Sequence, residues 1–110
     1  MTKERTYSRY SREAVTLLGK HVRLGRKQRK WTEHELAGRA GISRATLQKI
    51  EKGDLTVAIG LVFEVATLVG VILFDEDRTS LAGHMARAED KLAVLPGSVR
   101  KSSKVVDDDF

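Results

Sequence analysis

The stretch WTEHELAGRAGISRATLQKIEKG, residues 31–53, decides the fold. It holds two short helical patterns, each with its own start and stop signals. Thr32 followed by Glu35 reads as a capping box: the hydroxyl accepts from one orphan N–H and the carboxylate reaches back to another. Leu36, Ala37 and Ala40 give this helix an apolar face, and Gly41 supplies the left-handed residue that ends it. Ser43 caps a further helix only two residues later. Ile42 and Leu47 stand at the spacing of a hydrophobic staple, Leu47 and Ile50 face inward, and Gly53 closes the helix. Two capped helices joined through one glycine predict a helix-turn-helix, with its second helix from about Arg44 to Lys52.

Working outward, Val15, Leu18 and Val22 recur at steps of three and four and mark a preceding helix capped at Ser11. Lys20, Arg23, Arg26, Lys27, Arg29 and Lys30 fall mostly off its apolar stripe. Gly25 sits where the stripe should continue, so this helix either packs closely there or ends early. After residue 53, Thr56 is the expected cap of a helix over 57–69, with Ile59, Val62, Phe63, Ala66 and Val69 on one face. Trp31, Phe63 and Phe74 read as core. The run VILF, residues 71–74, is too short to classify by period. Leu81, Met85, Ala88, Leu92 and Leu95 alternate steps of four and three, a seam on a last helix over about 80–95, which Pro96-Gly97 stops. The reading is all-α: a flexible arm at 1–10, a helix-turn-helix bundle at 11–74, an acidic connector and C-terminal helix at 75–96, and a flexible tail at 97–110.

The charge is uneven. Residues 1–53 carry 14 Lys and Arg against 5 Glu, a net of +9, and residues 54–110 carry 6 against 10, a net of −4. A basic half suggests a polyanion partner, although a solvated charged surface would look the same. No apolar run approaches the roughly 20 residues that span a bilayer. MTKERTYSRY has no apolar stretch of the kind a signal peptide needs. There is no cysteine, which removes disulfides and thiolate metal sites and fits a reducing cytoplasm.

His21, His34 and His84 lie far apart, so no metal site or other cofactor is expected. Asp75, Glu76 and Asp77 read as a solvated connector. No phosphate-binding glycine loop or nucleophile triad stands out, and the chain reads as a non-enzyme. The chemistry lies on the 44–52 helix. Arg44, Ala45, Gln48 and Lys49 are left on its outer face. Arginine matches guanine O6 and N7, glutamine matches adenine N6 and N7, and a short alanine permits close approach or touches a thymine methyl. Arg44, Ala45 and Gln48 are therefore the candidate base readers. Ser43 and Thr46 through hydroxyls, and Arg39, Lys49 and Lys52 through charge, are candidates for phosphate. Tyr7 and Tyr10, among Lys3, Arg5, Arg9 and Arg12, form either an arm along DNA or an unstructured terminus.

Thr32, Glu35, Leu36 and Ala37 (T-x-x-E-L-A), Ala40 to Ser43 (A-G-I-S), and Ile50, Glu51 and Gly53 (I-E-x-G) together resemble the XRE family of Cro/λ-repressor-like regulators. The likeness runs from about Leu18 to Gly70 and implies a five-helix fold that places its second motif helix in the major groove. Such units usually pair on palindromic sites, so a homodimer on double-stranded DNA is expected. Three departures stand out. Glu33 replaces a glutamine that often supports a phosphate contact, and an anion there would oppose phosphate. Lys30 replaces a glycine, and the family's last helix is reduced to VILF. Further along, VRKSSKVVDDDF, residues 99–110, is similar to antitoxins encoded beside HipA-like kinase toxins. That likeness implies an autorepressor with a kinase toxin as partner, with Asp107, Asp108, Asp109 and Phe110 as a partner-binding tail. The alternatives are a stand-alone regulator, a protein whose main task is toxin binding, and a nonspecific nucleic-acid binder.

Overall fold

The computed structural model describes residues 5–74 and 81–99. The described residues form five α-helices and no strand: α1 Arg9–Gln28, α2 Glu33–Ala40, α3 Arg44–Lys52, α4 Ile59–Leu68 and α5 Leu81–Ala93. The chain divides into two compact units, residues 1–76 and residues 77–110.

In the first unit, α1 and α2 each pack against both α3 and α4. The shared core is Val22, Leu36, Ala37, Leu47, Ile50, Val65, Ala66 and Val69. Leu18, Trp31, Ala40, Ile42 and Val71 pack half-buried around it. The described bundle is all-helical, and α2 and α3 form the two capped helices joined at Gly41 that the spacing predicted.

All four helices of this unit stop in one way. A residue just past the helix end donates its N–H back to the carbonyl five positions earlier: Trp31 to Arg26, Ile42 to Ala37, Asp54 to Lys49 and Val71 to Ala66, at 2.9–3.1 Å. That bond requires a left-handed residue just before the donor. Gly41, Gly53 and Gly70 supply it for α2, α3 and α4 with φ of 71°, 81° and 82°. At the end of α1 the residue is Lys30, with φ 60°.

The N-terminal signals are read less uniformly. The Thr32–Glu35 capping box forms in both directions, and Ser43 caps α3. Helix α1 instead starts at Arg9 and is capped by Ser8, whose Oγ accepts from the Ser11 N–H. Ser11 is thus inside the first turn, and Arg9 and Tyr10 belong to the helix, not to an arm. Thr56 does not cap α4. Its N–H and hydroxyl both donate to Asp54 Oδ1, and α4 begins after Ala58 with no side-chain cap.

Most of the expected face of α4 holds nonetheless: Ala66 and Val69 are buried and Val62 packs half-buried against the core. Ile59 is the first helical residue and lies 71% exposed, while Val65 takes a fully buried place. The chain resolves the choice posed by Gly25 in favour of close packing. A β-carbon there would stand 2.7 Å from the Val69 carbonyl oxygen. Phe74 is 70% exposed and meets only the edge of Phe63, with ring centroids 6.0 Å apart, so it is not a core residue. The 71–74 run is non-helical and alternates, with Val71 and Leu73 half-buried and Ile72 and Phe74 exposed.

The second unit is described through α5 and the residues that follow it. No residue of α5 is buried. Leu81, Met85, Ala88 and Leu92 lie on it, all exposed. The helix ends at Ala93, so Leu95 lies past it and only four of the five seam positions are helical. Ser80, the acidic cluster 75–77 and the tail from 100 to 110 fall outside the described residues, so Asp107 to Phe110 do too.

Candidate nucleic-acid interface

Helix α3 is held from behind and open in front. Leu47, Ile50 and Glu51 are its buried residues. Arg44, Ala45, Lys49 and Lys52 are exposed, and Gln48 and Thr46 are half-buried. Arg44 and Gln48 are four residues apart, so their side chains leave the same face of the helix.

The rigid backing includes a charge pair that hydrophobic periodicity did not reveal. Arg26 of α1 is only 7% exposed and not on a solvated face. Its Nε donates to Glu51 Oε2 at 2.7 Å and its Nη2 to Glu51 Oε1 at 3.1 Å. Its Nη1 donates to the Trp31 carbonyl at 3.0 Å. These bonds tie the end of α1, the loop before α2 and the last turn of α3 together. The Glu51 hydrogen bond, opposed by burial, raises the Arg26 pKa above its ordinary value. The I-E-x-G pattern contained the Glu51 half of this pair, but nothing in it named a partner 25 residues away.

Glu33, the first residue of α2, reaches the front of α3. Its Oε1 accepts from Gln48 Nε2 at 3.0 Å and lies 3.7 Å from Arg44 Nε. The first distance is a hydrogen bond and the second a looser ion pair. Arg44 and Gln48, the two polar candidates among the base readers, are therefore organised around one carboxylate. The Gln48 hydrogen bond chiefly lowers the Glu33 pKa, burial opposes it, and the charges of Arg26, Arg44 and Arg23 lower it further. Glu33 consequently stands as an anion whose charge is answered within the protein. A cleft of about 130 Å³ lies beside it, lined by Arg23, Glu33, Gln48, Glu51 and Lys52. Arg23 joins this surface from α1, a placement that its position off the apolar stripe left open.

The candidate phosphate ligands occupy several settings. The Ser43 Oγ accepts the Thr46 N–H and donates to Thr46 Oγ1, both at 3.0 Å. The donor still available in this pair is the Thr46 hydroxyl. The Arg39 guanidinium stacks 4.2 Å from the Trp31 ring centre, with Arg29 at 5.8 Å from the same ring. Trp31 thus packs on the core and also holds Arg39 in a cation–π contact. Lys49 and Lys52 lie in the last turn of α3, where cations favour the helix dipole. Among the described residues no group of three or more His, Asp or Glu gathers in a metal-binding cluster.

Comparison with known proteins agrees with this geometry. Residues 22–71 match the family model described as helix-turn-helix, a span running from Val22 of α1 through α2, α3 and α4. The match spans a little under half of the chain and makes this segment similar to helix-turn-helix domains, a likeness that supports DNA binding. No curated protein and no solved structure shows significant similarity to the chain. No described helix is long and apolar enough to cross a membrane.

Proposed function

We propose that this chain is a sequence-specific transcriptional repressor in which α3 enters the major groove and Arg44, Ala45 and Gln48 meet base edges. The supporting observation is the pairing of Arg44 and Gln48 on one open face of a helix whose other face is locked by Leu47, Ile50 and Glu51. Thr46, Lys49, Lys52 and Arg39 hold the phosphates on either side, and Ser43 holds Thr46 in place. Two copies read a palindromic operator, with half-sites about 34 Å apart. The exposed apolar stripe of Leu81, Met85, Ala88 and Leu92 on α5 supports pairing with a second copy. The test is selection from a pool of randomised duplexes, followed by sedimentation of the complex on the selected site. A palindromic site bound by two chains is the expected result. Equal binding to selected and random duplexes at physiological salt overturns it.

The finer reading makes this repressor an antitoxin that represses its own operon in the cytoplasm and binds a HipA-like kinase toxin. The similarity of residues 99–110 to such antitoxins supports it, as does the acidic balance of residues 54–110. Co-expression with a kinase encoded beside it tests this reading. Loss of kinase binding on deletion of residues 97–110, with operator binding retained, is expected. A full-length chain that binds the operator but no neighbouring kinase leaves the stand-alone regulator as the function.

A further inference from the structure

We propose that Glu33 is a specificity-determining residue: by accepting from the amide nitrogen of Gln48, it turns the amide oxygen away from itself and sets Gln48 to read adenine. The inference rests on α3 being the reading helix.

The argument begins with the donor and acceptor inventory. An ionised carboxylate can only accept hydrogen bonds, whereas a glutamine amide has one accepting end and one donating end. Opposite Glu33, only the donating end of Gln48 fits, as the 3.0 Å contact from Nε2 to Glu33 Oε1 shows. The Gln48 hydrogen bond itself, and after it the charges of Arg26, Arg44 and Arg23, favour the anionic form of Glu33, which is an acceptor only. Gln48 therefore has its oxygen and one remaining N–H available for DNA. Adenine presents the complementary pair in the major groove, an N6 amino donor and an N7 acceptor. Cytosine offers only the amino donor. In that two-point register guanine O6 would meet the Gln48 oxygen, acceptor against acceptor, and thymine, with O4 alone, could take only the single remaining N–H.

The glutamine expected at position 33 would not impose this choice. An amide beside an amide can pair in either orientation, so Gln48 could then turn its nitrogen toward the groove. The departure from the family pattern that argued against a phosphate contact thus acquires a separate role. Glu33 acts through Gln48 and is a positioning residue. The identity of the preferred base is a readout that a merely structural role would not move.

The experiment is selection of the full-length chain against a pool of randomised duplexes, run in parallel for the unchanged protein, Glu33→Gln, Gln48→Ala and Arg44→Ala. Gln48→Ala identifies the position that Gln48 reads. The unchanged protein should prefer adenine there over guanine or thymine by roughly tenfold or more. Glu33→Gln should reduce that preference to about threefold or less while leaving the Arg44-dependent position intact, because only the amide orientation is released. If Gln48→Ala flattens a position and Glu33→Gln leaves adenine preferred there, the inference is wrong while the reading helix stands. Uniformly weaker binding by Glu33→Gln with the same base preference also overturns it, as does guanine or thymine at the Gln48 position. If neither Gln48→Ala nor Arg44→Ala alters any position, the assignment of α3 fails and this inference with it.

Discussion

Arg26 and Glu51 close a buried two-point ion pair across the bundle, with both side chains under a tenth exposed. Removing one partner leaves the other charged and without water. Glu51→Ala should therefore destabilise the fold by about 3–5 kcal/mol, whereas replacing both partners with apolar residues of similar volume should cost far less. Urea denaturation of the single and double variants measures this. A loss below about 1 kcal/mol for Glu51→Ala would show that water or another group satisfies the guanidinium.

Lys30 holds the left-handed position that glycine fills at the ends of α2, α3 and α4. A side chain there costs roughly 1–2 kcal/mol, because its β-carbon crowds the following carbonyl. Lys30→Gly should raise stability by about 1 kcal/mol despite the extra freedom of glycine in the unfolded chain. The converse change, Gly41→Ala, should lower it by a similar amount. Denaturation midpoints that move together in one direction would contradict this account.

Two helical glycines separate packing from propensity. At Gly25 a β-carbon would stand 2.7 Å from the Val69 carbonyl oxygen and 2.9 Å from Val69 Cβ, whereas at Gly38 it meets nothing within 4 Å. Gly25→Ala should destabilise by about 1–3 kcal/mol through the clash. Gly38→Ala should stabilise by up to about 1 kcal/mol through helix propensity. Opposite signs in thermal denaturation are the expected signature.

Glu33 gives stability a pH dependence of defined sign. Its folded pKa lies below the ordinary glutamate value, chiefly through the Gln48 hydrogen bond. The folded form thus releases this proton more readily than the unfolded chain. Its contribution is complete above about pH 4.3, the ordinary value, and is lost as pH falls through the lowered folded pKa. Carboxylate titration by NMR should find the Glu33 midpoint low and should move it upward in Gln48→Ala. An unmoved midpoint would mean that the hydrogen bond is not the main cause.

Lys49 and Arg44 should differ in kind. Lys49→Ala should weaken all duplexes alike and reduce the salt slope by about 1, while Arg44→Ala should cost about 1–3 kcal/mol on the preferred site and relax one base position. Binding titrations at several salt concentrations on selected and random duplexes distinguish them. A base-specific effect of Lys49→Ala would move it from the phosphate group to the readers.

The motif was legible in the residues because its determinants are local. Thr32 and Glu35 reciprocate within one turn, Ser43 reaches the N–H three residues on, and Gly41 meets a backbone demand of the turn itself. Short-range rules also placed Leu36, Ala37, Leu47 and Ile50 in the core. They failed where two local solutions competed. Ser8 and Ser11 are both plausible caps for α1, and Thr56 could cap α4 or close a turn on Asp54. A hydroxyl cap contributes only about 1 kcal/mol wherever it forms, so residue type alone does not choose between neighbouring positions.

By itself, therefore, the sequence determined the helices of the motif, their inward faces and the exposed placement of Arg44. Only the tertiary structure decided what stands against what. Arg26 is a charged residue by composition and an interior residue by contact with Glu51, 25 positions away. Glu33 is an unfavourable anion if read beside phosphate, and an organising acceptor once α2 sets it against Gln48, 15 positions away. The physical reason is range. Caps and periodicity act within a few residues of chain, whereas the energy of a charge depends on the groups that folding brings within a few ångströms of it.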